Sequence, residues 1–398
     1  MRVRSMVRRI CSGCSGVIHS GRLAALEAAV EGLTASEKLS VTGIGGGLRS
    51  PALVKHNIKR VDRLLSNRRL QSERWKVFGC VGRYLVGDVA RPVILMDWTT
   101  VVAGFSALVA AVPVGGRALT IYEEVHPERS NNKPRVQARF LRRLGEVIAP
   151  GSRPIIVVDA GFKAPFFRAV QRMGWDFIGR ERQHVGIKLD ESRAWIFTKQ
   201  AFAKARRTAK DLGMGILNKS QDRSFATRFV VVSSPRHPKH PGKTKFRASL
   251  GSKDRQAYKR GAHQPWLLLT SLVALPADQI VALYAKRMQI EQVFRDLKNP
   301  RFGWSLRHAR GYSAERLTIL LLIATLATLA VTLIGLAVEQ SGRHRAYQAN
   351  TARTRVHSLF VLGCKVLARA ELPVLADITG AIAHLRAVLA SHVDAPAP

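Results

Sequence analysis

Apolar runs too short for helices alternate with stretches of helical period between residues 93 and 178. Val93-Ile-Leu-Met-Asp97 is a continuous apolar run that ends on an acid. Residues 106–114 and 118–122 predict two more strands, with Gly115-Gly116 as the hairpin turn between them. Residues 136–148 place Phe140, Leu141, Leu144 and Ile148 on one face, which predicts a helix. Pro154-Ile-Ile-Val-Val-Asp159 predicts a buried strand ending on a second acid. Residues 165–173 predict a helix and 175–178 a fifth strand. The order β-β-β-α-β-α-β predicts an α/β fold with a mixed sheet. Asp97 is expected to end the first strand and Asp159 the fourth. An acid at a strand end often only caps a turn or a following helix.

Outside this block the pattern is helical or irregular. Residues 1–20 read as loosely structured, 22–30 as a short helix and 39–49 as a glycine-rich connector. Those glycines lack the order of a phosphate-binding loop. Residues 55–67 predict a helix whose stripe of Ile58, Val61, Leu64 and Leu65 faces a core. Lys59, Arg60, Arg63, Arg68 and Arg69 project elsewhere, toward nucleic acid. Residues 182–265 interrupt the block with a basic turn (Lys204, Arg206, Arg207, Lys210), a strand at 229–232 and a proline-broken loop at 235–243 holding His237 and His240. Residues 317–338 carry no charge and are long enough to span a membrane. Their four threonines and their place after the α/β block predict a buried core helix instead. From 343 onward Val356, Leu359, Leu362, Val366 and Leu367 share one side, suited to a partner or dimer contact.

The stretch from Tyr284 to Lys298 predicts one helix, bounded by Pro276 and Asn299-Pro300. At about 100° per residue, Tyr284, Arg287, Glu291, Arg295 and Lys298 share a stripe roughly 80° wide. Ala282, Ile290, Val293 and Leu297 lie opposite. Asp296 falls outside the stripe and is expected to tolerate Ala. A single acid among several cations is not the interleaved pattern of a solvated face.

Charge narrows the partners. Of 398 residues, 64 are Lys or Arg and 27 are Asp or Glu, a net charge of +37. Spread along the chain, that excess calls for a polyanion, nucleic acid before a membrane surface. The four cysteines include Cys11-x-x-Cys14, with no second pair at zinc spacing; reduced cytoplasmic thiols are expected. No secretory apolar region follows the basic first residues.

The spacing Tyr284-x2-Arg287-x3-Glu291-x6-Lys298 resembles the signature helix of bacterial insertion-sequence DDE transposases, cut-and-paste enzymes with an RNase H-like core. Asp97-Trp98-Thr99 is similar to their first motif. Asp159-Ala-Gly-Phe-Lys163, followed by Gly174-Trp-Asp-Phe-Ile-Gly-Arg180, is similar to their second. Residues 55–67 resemble their N-terminal end-binding domain, and 182–265 stand where relatives carry a β-rich insertion. The resemblance implies that Asp97, Asp159 and Glu291 are the catalytic, metal-binding acids. It implies that Tyr284, Arg287 and Lys298 bind phosphates of the transposon end. In some relatives a tryptophan of the insertion stacks on a flipped base; Trp195 stands in that segment, with ordinary packing the plainer role.

The expectation is therefore an RNase H-like mixed sheet with a β-rich insertion, flanked by helical regions. Residues 1–90 would bind DNA through Lys59, Arg60 and Arg63. Residues 91–315 would form the catalytic core, interrupted at 182–265, and 316–398 a helical region suited to dimer contact. Three carboxylates make a hard oxygen site for two Mg²⁺, with Mn²⁺ able to substitute. The partners are double-stranded DNA, at transposon ends and target, and a second copy in a homodimer. The setting is cytoplasmic and nucleoid-associated, with no membrane. A structure-specific RNase H-like nuclease and an inactive transposase-derived DNA-binding protein are the alternatives.

Overall fold

The computed structural model describes every residue except 1–2, 15, 183, 193, 221–223, 234–263, 307–312 and 395–398. The expected loop at 235–243, with His237 and His240, lies outside the described residues. The chain forms two compact units, residues 1–154 with 287–394, and residues 155–286.

The first unit opens with helices α1 (Val3–Ile10), α2 (Ser20–Ser36), α3 (Val41–Gly47), α4 (Val54–Leu65) and α5 (Arg68–Val86). Three expectations fail here. Residues 1–20 are not loose: α1 buries Val3, Met6, Val7 and Ile10, a stripe at helical spacing. The glycine-rich stretch is not a connector but α3, started by the Ser40 side chain, which accepts from the Gly43 N–H. Its glycines serve close packing, since a Cβ on Gly47 would lie 2.1 Å from the Gly32 carbonyl oxygen. Cys14 is disulfide-bonded to Cys80 of α5, so the reduced-thiol expectation fails for that pair.

Strands β1 (Val93–Val102), β2 (Phe105–Val114) and β3 (Arg117–Pro127) form an antiparallel meander, and α6 (Pro134–Val147) follows. Gly115 and Gly116, at φ 50° and 85°, make the turn from β2 to β3. β1 does not end at Asp97. It continues through Thr99, Thr100, Val101 and Val102, whose β-branched side chains suit a pleated strand. Asp97 is thus mid-strand, opposite Val109 of β2, which in turn faces Glu123 of β3.

The second unit holds β4 (Ile155–Val158), α7 (Ala164–Arg172), β5 (Asp176–Glu181), β6 (Gly186–Leu189), β7 (Ile196–Phe197), α8 (Thr198–Ala203), β8 (Lys210–Leu217), β9 (Phe225–Val232), β10 (Trp266–Thr270) and α9 (Ala277–Ala285). Its sheet has the order β4-β5-β10-β9-β8-β6-β7, parallel between β4 and β5 and antiparallel from β5 onward. The insertion strands therefore extend the sheet past β10. Phe167, Phe177 and Phe225 stack in its core.

The chain returns to the first unit with α10 (Met288–Lys298), α11 (Ala314–Gln340), α12 (Leu359–Ala368) and α13 (Leu375–Asp394). The single helix expected from Tyr284 to Lys298 is two helices, α9 and α10, broken at Lys286-Arg287. Tyr284 is therefore not on the helix that carries Glu291. The uncharged stretch is α11, and 94% of its most apolar window is buried. It is enclosed by α2, α4, α5, α12, α13 and β3, which accounts for its composition without a membrane. Leu359, Leu362 and Val366 are buried in the same unit, where α12 packs on α11, while Val356 is exposed.

Candidate active site

The first unit brings together three of the expected residues. Arg287 sits at the break before α10, with 12% of its side chain exposed. Its Nη2 donates to Asp97 Oδ2 at 3.2 Å, and its Nη1 donates to Glu291 Oε1 at 2.8 Å. The other oxygen of Asp97, Oδ1, accepts from the Trp98 N–H at 2.8 Å. One guanidinium thus spans an acid from mid-strand β1 and an acid from the first turn of α10. Glu291 is the more open of the two, at 44% against 14% for Asp97. At the far end of α10, Lys298 Nζ donates to Thr99 Oγ1 at 2.7 Å. Thr99 is buried and on the same face of β1 as Asp97.

Asp159 and Tyr284 belong to the second unit. Asp159 follows the end of β4, as expected, and its Oδ1 accepts from the Gly161 N–H at 2.8 Å. Tyr284 is buried, its ring edge-on to Trp266 at 4.9 Å. Trp195 packs over Gly186, where a Cβ would lie 3.3 Å from its ring.

The cations of α4 face outward. Lys59, Arg60 and Arg63 are all exposed, and Arg60 also donates to Ser50 Oγ at 3.2 Å and Asn57 Oδ1 at 3.3 Å. Asp62, the helix's one acid, is taken up by Arg316 of α11 at 2.6 Å.

Several residues next to the site were not foreseen. Asp296, expected to tolerate Ala, is buried, and its Oδ2 accepts from Arg117 Nε at 2.9 Å. Burial pushes its carboxyl up to about 6, against the pull of the Arg117 charge. Glu123 lies under α10 and α11 and accepts from Thr325 Oγ1 at 2.7 Å. Burial holds it up at about 7. Its neighbour Glu124 goes the other way: burial raises it, but hydrogen bonds from His126 and Tyr122 and the charges of His126 and Arg139 outweigh that and bring it to about 2. A cavity of about 20 Å³, room for one water, is lined by Thr99, Glu123, Phe294, Leu297, Thr325 and Thr328 among others. Only Thr99 carried a signal in the sequence, two residues past Asp97 and so on its face.

Among the described residues no three His, Cys, Asp or Glu side chains cluster as a ready-made metal cage. The donor set nevertheless suits a hard cation. Asp97 and Glu291 offer carboxylate oxygens to one site, and a cation, the guanidinium, already joins them.

A family profile described as a transposase DDE domain matches residues 89–328, more than half of the chain. The chain belongs to this family. It is a transposase, an enzyme that cleaves DNA, of a family that generally uses divalent metal ions; the mixed α/β architecture agrees with an RNase H-like transposase domain. No curated protein matches the chain.

Proposed function

We propose that this transposase cleaves and joins the ends of an insertion sequence by metal-dependent phosphoryl transfer. Asp97, Asp159 and Glu291 are its metal-binding acids. The observation that carries the reading is Arg287 bridging Asp97 and Glu291. Two acids 194 positions apart meet on one cation, which puts two hard oxygen donors at one point of the first unit.

Mg²⁺ bound to these carboxylates would activate the attacking water or 3′-hydroxyl and stabilise the leaving oxygen. The chain's own side chains do the rest. Arg287 offsets the mutual repulsion of the two acids and holds them on one cation until metal and a DNA phosphate take its place. Lys298, anchored on Thr99, supplies a second cation on the same strand face for the scissile strand. Outward-facing Lys59, Arg60 and Arg63 of α4 hold the duplex of the transposon end. The working form is a homodimer on paired ends, in the bacterial cytoplasm.

Nicking of a labelled duplex carrying the element's own end, in Mg²⁺, tests this. Asp97→Asn, Asp159→Asn and Glu291→Gln should each lower nicking by roughly a thousandfold or more, with duplex binding retained. Near-normal nicking by any one removes that residue from the site.

A further inference from the structure

One guanidinium fixes α10 against the β2–β3 hairpin. Arg117 Nε donates to Asp296 Oδ2 at 2.9 Å, and its Nη1 donates to Gln292 Oε1 at 3.3 Å. Gln292 and Asp296 stand one turn apart on α10, so the planar fork grips two successive turns. Arg117 opens β3 directly after the Gly115–Gly116 turn. The same hairpin pairs with β1 at Asp97. On its other side Asp296 is tied again: its carbonyl oxygen accepts from the Trp304 N–H at 2.9 Å, and Trp304 Nε1 donates to Thr328 of α11 at 2.8 Å.

These contacts decide where Glu291 stands. α10 carries Arg287 and Glu291 at one end and Asp296 and Lys298 at the other. The orientation of the helix therefore sets where Glu291 stands relative to Asp97. We propose that Arg117 and Asp296 are positioning residues, whose ion pair sets the orientation of α10 on the meander and so holds Glu291 and Arg287 in register with Asp97. The inference rests on Asp97 and Glu291 being metal-binding acids.

Stability alone does not explain the pair. A buried ion pair is seldom more stabilising than uncharged groups of the same shape. Burial works against the ionised form of Asp296, so the protein keeps a charge there that its fold does not favour. Asparagine has nearly the same shape and still accepts from Arg117, but it lacks the charge that fixes the fork. A displacement of about 1 Å at a reacting group can cost about a hundredfold in rate.

The test uses the full-length protein with Asp296→Asn, Arg117→Lys, Arg117→Met and Glu291→Gln. Nicking of an end duplex, Mn²⁺ binding followed by electron paramagnetic resonance, and the thermal midpoint are read for each. The inference expects Asp296→Asn to melt at or above the wild-type temperature, yet nick about 10- to 100-fold more slowly and bind Mn²⁺ about tenfold more weakly. Arg117→Lys should lose less than Arg117→Met, because it keeps charge without the fork. If Asp296→Asn does not fold, Arg117→Lys carries the same comparison. Wild-type nicking and Mn²⁺ binding in Asp296→Asn and Arg117→Met, with Glu291→Gln inactive, overturns the positioning role alone. Activity that falls only in step with the melting temperature overturns it too. An active Glu291→Gln overturns the reading of the site and the inference with it.

Discussion

Lys298 Nζ donates to the hydroxyl of Thr99 at 2.7 Å, and Thr99 is two positions along β1 from Asp97, the acid that accepts from Arg287. The two cations start about 16 Å apart along α10, yet their heads meet a stretch of β1 only about 7 Å long. Arg287 reaches Asp97, and Lys298 reaches Thr99. The two cations of the signature thus close on one short segment of strand.

That convergence yields a stepwise prediction. Arg287→Ala and Lys298→Ala should leave the first nick within a few-fold of wild type while lowering later strand joining by about tenfold or more. The first cut needs mainly metal and water, whereas joining needs a bent strand held in register. Denaturing gels of end-labelled duplex resolve the steps. Equal loss at both steps would mean that the two cations support the fold instead.

The α4 cations are best tested singly. α11 buries its apolar surface partly against α2, α4 and α5, so deleting residues 1–88 should uncover it and give an aggregating protein. Lys59→Ala, Arg60→Ala and Arg63→Ala leave that packing alone. Each should weaken binding to an end duplex and reduce the slope of log K against log salt by about one. Fluorescence anisotropy across a salt series measures it.

Glu123 predicts a pH dependence of stability. Its folded value of about 7 lies above the ordinary 4.5. A raised carboxyl contributes stability that is full below about 4.5 and is lost as pH rises through about 7. Asp296, held at about 6, acts in the same direction. The depressed Glu124 contributes in the opposite sense, but only below about 4.5. The melting temperature should therefore fall between pH 5 and pH 7.5. Glu123→Gln should flatten that fall and stabilise the protein at pH 7.5 by about 1–3 kcal/mol. Calorimetry over that range checks the sign.

The Cys14–Cys80 bond closes a loop between residues 66 positions apart. Cys14→Ser, or a reductant, should lower stability by about 2–4 kcal/mol. Cys11 should not exchange into the bond, because burial and the charge of Glu27 push its thiol up to about 12. Thiol counting on the unfolded protein, with and without reductant, reads the pairing.

The α/β core was legible because its apolar runs are short and punctuated: β2 and α6 fall within two residues of their expected bounds, while β3 starts where expected and runs on to Pro127. What was hidden follows from local chemistry. The break between α9 and α10 falls in Ala285-Lys286-Arg287-Met288, all good helix formers, and Lys286 and Arg287 keep near-helical angles of φ −62°, ψ −21° and φ −51°, ψ −35°. Nothing in such a stretch announces the end of one helix and the start of another. Asp97 ended an apolar run and so resembled a strand end, although Thr99 to Val102 already favoured continuation. At the site, Asp97, Arg287, Glu291 and Lys298 stood out by their motifs, but the Arg287–Glu291 pair was not expected, although its i, i+4 spacing allows it. The Arg117–Asp296 pair spans 179 positions and joins a hairpin turn to a helix, a contact that no periodicity encodes.

The central claim is that Asp97, Asp159 and Glu291 together bind the divalent ion. Iron-directed backbone scission tests it most directly: Fe²⁺ is loaded into the protein–end complex, ascorbate and peroxide are added, and the cut sites are mapped by mass spectrometry. The account predicts cuts clustered near residues 97, 159 and 291, suppressed by excess Mg²⁺ and lost together in Glu291→Gln. Cuts near only one of the three, or a pattern that Glu291→Gln leaves unchanged, would contradict it.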